Sequence, residues 1–163
     1  MSEPLLRRPD LVANSISVRL AVQDDADCIT DFNCGIARET EDKELDRSLV
    51  LSGVKRGIDR APEVRYFLAE DQSKPVGCLM ITREWSDWRD GWLIWIQSVY
   101  VSSEYRGQGV FKELLAHLED TVRSESDVVG LRLYVEVEND RAQEVYGRTG
   151  FIDPNYKVLE KLF

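Results

Sequence analysis

"WLIWIQSVYVSSEYRGQGVFKELLAHLEDTV", Trp92 to Val122, is the stretch whose reading decides the fold. It begins as a nearly unbroken apolar and aromatic run, the composition of a central strand covered on both faces. From Val110 onward it becomes an amphipathic helical pattern. Between the two stand Gly107 and Gly109. They permit positive φ in a tight turn, or they let bare backbone approach a ligand. With "GLRLYVEV", Gly130 to Val137, the unit reads strand, turn, helix, strand. Such a crossover leaves the first turn of the helix at the carboxyl end of a strand, where ligands of open α/β sheets collect. A helix start offers N–H groups without intrahelical partners and the positive end of the macrodipole, so "RGQG" suits a diphosphate, with Arg106 adding charge. No Gly-Lys-Ser/Thr follows, and the third glycine of the dinucleotide fingerprint is missing, which weakens those two nucleotide readings.

Outward from this unit the chain alternates further. "SISVRLAV" from Ser15 reads as a strand, and "ADCITDFNCGIAR" from Ala26 as a helix behind the candidate caps Asp24 and Asp25. "ETEDKELD" is a polar connection, and Leu49, Leu51, Val54 and Ile58 form one stripe of a second helix. "VRYFLAE" and "VGCLMITREW", joined by "DQSKP", read as an antiparallel hairpin over Val64 to Trp85. After the crossover unit, "NDRAQEVYGRTG" is a helix closed by Gly150, and Phe151 to Phe163 is expected to supply a final strand or strand pair. Residues 1–14 mix charge and proline without a period and read as a flexible arm ahead of one domain over 15–163.

The 163 residues, 43% of them hydrophobic, suffice for one buried core. A net charge of −9 repels a phosphate backbone, so nucleic acid is not an expected partner, whereas a cationic substrate is attracted. No apolar run is long enough to cross a bilayer and no leader pattern stands at the start, so a soluble, cytoplasmic protein without a membrane partner is expected. The three cysteines, Cys28, Cys34 and Cys78, match no zinc spacing and no closed disulfide framework, and no metal is expected. They read as reduced, buried filler.

Two separated motifs, in order, carry a resemblance to a known family. Arg106-Gly107-Gln108-Gly109-Val110-Phe111 is similar to a Gln/Arg-x-x-Gly-x-Gly/Ala signature, departing from it at Phe111. Asn139, Ala142, Tyr146, Gly150 and Phe151 are similar to Asn-x-x-Ala-x-x-x-Tyr-x-x-x-Gly-Phe. From about Ser15 to Phe163 the chain thus resembles the GNAT superfamily of acyl-CoA-dependent N-acetyltransferases. The resemblance implies an α/β (α+β) fold: a mixed, mostly antiparallel, twisted sheet of six to seven strands with about four helices on its two faces. It further implies that the central strand and the strand of Leu131 to Val137 splay apart to admit the pantetheine arm of acetyl-CoA, the co-substrate.

Acetyl transfer from a thioester to an amine needs a neutral amine, a polarised carbonyl and a proton for the departing thiolate. The resemblance assigns the proton to Tyr146 and the diphosphate to Arg106, Gly107, Gln108, Gly109, Val110 and Phe111. The pantetheine falls to the backbone of Val99, Tyr100 and Val101 and to Asn139, which is also a preferred helix cap. "WLIWIQSVYV" contains no Asp, Glu or His, so the base that several relatives place there is absent. Glu39, Glu41, Glu84, Glu136 and Glu138 are candidates in its stead, although a solvated carboxylate is the simpler reading of each. Trp85 and Trp88 are the aromatic substrate candidates, Trp92 and Trp95 read as packing, and His117, deep in its helix, as structural. The expected activity is transfer to a primary amine on a small molecule or peptide. A non-catalytic acyl-CoA-binding module is the rival, since the absent carboxylate permits it, and a homodimer is the commonest oligomer for such a chain.

Overall fold

Alternating apolar residues with two opposite burial partners build the sheet. The computed structural model describes residues 16–163, so the arm expected at 1–14 lies outside the described residues. Strands β1 (Ile16–Leu20), β2 (Val64–Asp71), β3 (Lys74–Ser86), β4 (Gly91–Val101) and β5 (Val128–Leu133) form one sheet in that order. The first three junctions are antiparallel and β4–β5 is parallel. Helices α1 (Ala26–Glu41), α2 (Arg47–Ile58), α3 (Val110–Arg123) and α4 (Asp140–Arg148) complete the fold.

The period of two sorts each strand between two apolar clusters. Phe67, Leu79, Ile81, Ile94 and Ile96 pack with Leu114, Leu115 and Leu118 of α3. Tyr66, Leu68 and Cys78 pack on the other face with Ile29 of α1 and Val54 of α2. Complete burial of a leucine such as Leu114 or Leu118 contributes about 1.5–3 kcal/mol, which seats α3 firmly beneath β4. At the far edge Arg19 of β1 binds Asp25 (2.7 Å) and Glu70 (2.8 Å), tying the entry of α1 to β2. Cys34 and Cys78 are buried and Cys28 half-buried, all three free. Burial raises the Cys78 thiol far above its ordinary range. His117 packs edge-on to Phe67 at 5.6 Å.

The sheet differs from expectation at its end. Among the described residues it has five strands rather than six to seven, and 151–163 forms none. Pro154 supplies no N–H, Asn155 takes a positive φ of 61°, and its N–H bonds the Asp153 carboxylate at 2.7 Å, a local turn that leads the chain off the sheet. β5 ends at Leu133, short of the expected Val137. There the Asn139 N–H closes onto the Glu136 carbonyl (3.1 Å) and the Glu138 N–H onto the Glu136 side chain (2.9 Å), diverting backbone groups from the ladder.

One feature of β4 positions the site. β3 pairs Met80 with Ser98 but Ile81 with Ile96, so Gln97 is an extra, bulged residue. The residues of β4 that face α3 are therefore Ile94 and Ile96 before the bulge and Val99 and Val101 after it.

Candidate active site

The bulge coincides with the end of the β4–β5 ladder. β5 accompanies β4 only to the pair Ile96–Leu133, whereas β3 follows it to Val101. Among the described residues no strand pairs with β4 from Gln97 to Val101 on the β5 side. β5 itself ends at Leu133, so beyond Ile96 that side of β4 is an edge without a partner strand that leads into the turn before α3. Val99 and Val101 anchor it in the α3-side core. Tyr100 faces α1, where its ring lies 5.1 Å from Phe32 and its hydroxyl donates to Glu39 at 3.0 Å. Gly35 admits that ring, since a Cβ there would stand 3.2 Å from the tyrosine oxygen.

At the end of this edge stands the glycine turn, and its positive φ bears out the first of the two readings. Gly107 and Gly109 have φ of 76° and 88°, a backbone that favours glycine, and Gly109 caps α3. A Cβ at either would meet no atom within 4 Å, so the space beside the turn is open. The first helical bond runs from the Glu113 N–H to the Gly109 carbonyl (3.1 Å), leaving the amides of Val110, Phe111 and Lys112 ahead of the ladder. The Gln108 amide, expected among the donors, is turned toward the Tyr105 carbonyl at 3.4 Å.

Arg106 is engaged within the chain. Its Nε donates to the Val101 carbonyl at 2.9 Å, and its Nη2 pairs with Glu39. The Arg106 guanidinium is the main cause that holds the Glu39 carboxyl below its ordinary value. A carboxylate so stabilised is a weak proton acceptor, and Glu39 competes with any anion for Arg106. Glu39→Gln should therefore tighten acetyl-CoA binding about two- to five-fold, in keeping with an exposed ion pair, as calorimetry would show. No tightening would mean that Arg106 does not reach the anion.

Tyr146 of α4 is half-buried between Phe111 (5.6 Å) and Phe151 (5.9 Å), both edge to face. Phe111, where the family pattern has Gly or Ala, thus joins the start of α3 to the tyrosine. Burial raises the Tyr146 hydroxyl above the ordinary phenol value, so it stays protonated at neutral pH. Asn139 caps α4 by accepting the Ala142 N–H at 3.0 Å. Asn139→Ala should lower stability by about 1 kcal/mol in thermal or denaturant unfolding. A raised KM for acetyl-CoA in the same variant would show the second, pantetheine-binding role.

The substrate candidates divide between two places. Glu39 stands beside Arg106, and Glu41, exposed, pairs with Lys43 at 2.5 Å. Glu84, Trp85 and Trp88 line a cleft of about 320 Å³ at the other end of β4. From Leu93, the partner of Glu84, to Tyr100 the strand rises about 23 Å, so the two groups cannot serve one small acceptor. Glu84 accepts from Arg132 Nη1 at 2.9 Å and from the Trp95 indole, so both its oxygens are engaged. Trp95 stacks on Tyr134 at 4.5 Å and belongs to this platform rather than to core packing alone. Trp92 meets Trp85 edge-on at 5.1 Å and packs against the α3-side core. Glu136 accepts the Glu138 amide through one carboxylate oxygen, and both residues are exposed. Sequence reading missed Arg132, Tyr156 and the bulged Gln97. The only signal was the polar pair Gln97–Ser98 interrupting an apolar run. Gln97 donates to Thr82 Oγ1 at 2.7 Å.

The description "Acetyltransferase (GNAT) family" belongs to a family model that matches residues 29–151. The chain belongs to the GNAT family. Among solved structures, this GNAT chain is similar to a possible acetyltransferase from Clostridium difficile 630, with 39% identity, TM-score 0.84, and 91% of this chain and 97% of the other covered. It also shares its fold with a ribosomal-protein-alanine N-acetyltransferase from Brucella melitensis biovar Abortus 2308, at 14% identity and TM-score 0.72, covering 91% and 100% of the two chains. A transcriptional regulator from Bacillus halodurans C-125 matches at 18% identity and TM-score 0.76, over 91% and 99%. A search of curated proteins returns no match. Among the described residues of this GNAT chain no helix is long and apolar enough to cross a membrane, and no group of three or more His, Cys, Asp or Glu could hold a metal ion.

Proposed function

We propose that this protein transfers an acetyl group from acetyl-CoA directly to a primary amine of a small molecule or peptide, in the cytoplasm. The observation that carries the reading is the unpaired β4 edge, Gln97 to Val101, running straight into the open glycine turn of α3. The edge groups around Val99 to Val101 pair with pantetheine amides in the manner of an added strand, and one N–H polarises the carbonyl. The amides of Val110, Phe111 and Lys112, with Arg106 once it leaves Glu39, hold the diphosphate. Acetyl-CoA supplies an activated acyl group and a thiolate leaving group. Tyr146, kept protonated by burial, gives that thiolate its proton.

The acceptor enters from the α1/α2 face, over Trp95 and Tyr134 toward the bulge, with Trp85 and Trp88 at the outer rim. Glu84, fixed by Arg132 and Trp95, stands well away from the Val99–Val101 edge and so anchors only the distal end of an extended acceptor such as a peptide, and the amine's proton leaves through water. The cleft is not uniformly acidic: Glu84 and Asp87 are balanced by Arg89 and Arg132, so a purely cationic acceptor is not favoured over a zwitterionic one.

Release of the CoA thiol from acetyl-CoA, measured across a panel of amines, tests the reading. Amine-dependent release with a matching acetylated product supports it. Acetyl-CoA binding without turnover on any amine would favour the non-catalytic module, and absence of binding would leave only an interaction domain.

A further inference from the structure

The acceptor cleft holds one cation that is fixed in place and only partly spent. Arg132 of β5 donates from Nη1 to Glu84 at 2.9 Å, and its guanidinium lies over the Trp95 ring, 5.7 Å from the centroid. Trp95 donates its indole N–H to the second Glu84 oxygen and stacks on Tyr134. Each Glu84 oxygen therefore has its donor. Among the described residues, by contrast, Nε and Nη2 of Arg132 have no hydrogen-bond partner. The side chain lines the cleft and is 26% exposed, so these N–H groups are held but reachable.

Nε and Nη2 form one edge of the planar guanidinium, a fork that matches a carboxylate. The same edge of Arg19 holds Glu70 at 3.0 and 2.8 Å elsewhere in this chain. The remaining charges of the cleft, Asp87 and Arg89, stand exposed between β3 and β4 and offset each other. The unspent donor edge of the cleft is thus that of Arg132, and it calls for an anion.

Register sets how far that anion lies from the reacting amine. Arg132 is level with Trp95, and the edge that receives the acyl donor begins at Val99. Four residues of strand separate them by roughly 13 Å. A free amino acid, with amine and carboxylate on one carbon, cannot bridge such a span. An extended peptide advances about 3.3–3.6 Å per residue, which brings its third to fifth residue level with Arg132.

We propose, resting on acetyl transfer at the β4 edge, that the acceptor is the N-terminal amine of an extended peptide, and that Arg132 selects a carboxylate at its third to fifth residue. The peptide crosses the Trp95–Tyr134 platform, whose rings accept apolar side chains. One ammonium and one carboxylate leave it neutral, so the net charge of −9 on the protein does not repel it. The amide N–C bond forms as the thioester C–S bond breaks; the thiolate takes the Tyr146 proton and the amine releases one to water. Glu84 is a positioning residue that holds the guanidinium plane and tempers its charge.

The test uses the full chain, acetyl-CoA and short Ala/Ser peptides with amidated C-termini, in which a single Asp is moved residue by residue. CoA-thiol release gives kcat/KM, and mass spectrometry places the acetyl group. Asp at the third to fifth residue should raise kcat/KM about 10-fold or more over the Asp-free peptide. Arg132→Gln should bring that ratio to about 1, whereas Glu84→Gln, which leaves Arg132 uncompensated, should raise it about two- to five-fold. A rate indifferent to Asp, a preference for Lys at those residues, or a ratio that survives Arg132→Gln would overturn the assignment. Calorimetry of the same peptides on the CoA complex separates this inference from the transfer reaction itself. Arg132-dependent preference in binding, with no peptide acetylated, would sink the transfer reaction and uphold the Arg132 subsite. Acetylation of other amines, with these peptides neither bound nor acetylated, would do the reverse.

Discussion

Gly109→Asp should lower acetyl-CoA affinity about 100-fold or more in titration calorimetry. The proposed donors are the amides of Val110 to Lys112, and Gly109, with φ of 88° and open space where a Cβ would go, stands beside them. A carboxylate there faces the diphosphate at close range, where like charges in a partly shielded site repel by several kcal/mol, on the order of 4 at 4 Å separation. Backbone strain is the smaller effect, about 1 kcal/mol for a residue that tolerates the left-handed region. Gly109→Asn separates the two: it shares the strain without the charge and should lose no more than about 10-fold. Equal losses in both variants would make the glycine a matter of conformation alone.

Tyr146→Phe should lower kcat by about 10²- to 10³-fold with little change in the dissociation constant for acetyl-CoA, as befits a proton donor used only in the chemical step. The ring contacts to Phe111 and Phe151 survive the substitution, so the fold and the cradle persist. An acceptor product formed at the native rate would remove Tyr146 from the chemistry. A fall in binding alone would make it a packing residue between α3 and α4.

Legibility of the sequence followed the range of the forces involved. The helix stripes and the β2–β3 hairpin are local patterns, and each reading agrees with the structure to within a few residues. The glycine turn was legible because its need for positive φ is local too. Phe111 was visible as a departure, but its partner Tyr146 lies on another helix, and only the folded chain shows the contact. The bulge at Gln97 was hidden because it is a register difference between β3 and β4, and no single strand's sequence states its register. The final strand was read from apolar residues at the chain's end; Asp153–Pro154–Asn155 diverts that segment, and patterning alone does not say on which sheet it lands. Among substrate candidates, Glu39 and Glu84 looked equivalent as carboxylates. Tertiary pairing with Arg106 and Arg132 assigns them to opposite ends of β4.

The central claim is that the unpaired edge of β4 and the start of α3 together receive the acyl donor. Hydrogen–deuterium exchange with and without acetyl-CoA tests it most directly. The account predicts slowed exchange concentrated in peptides covering 97–101 and 108–112, with 64–71 of β2 unchanged as an internal reference. Protection absent from both regions, in a sample shown by calorimetry to be saturated, would contradict it.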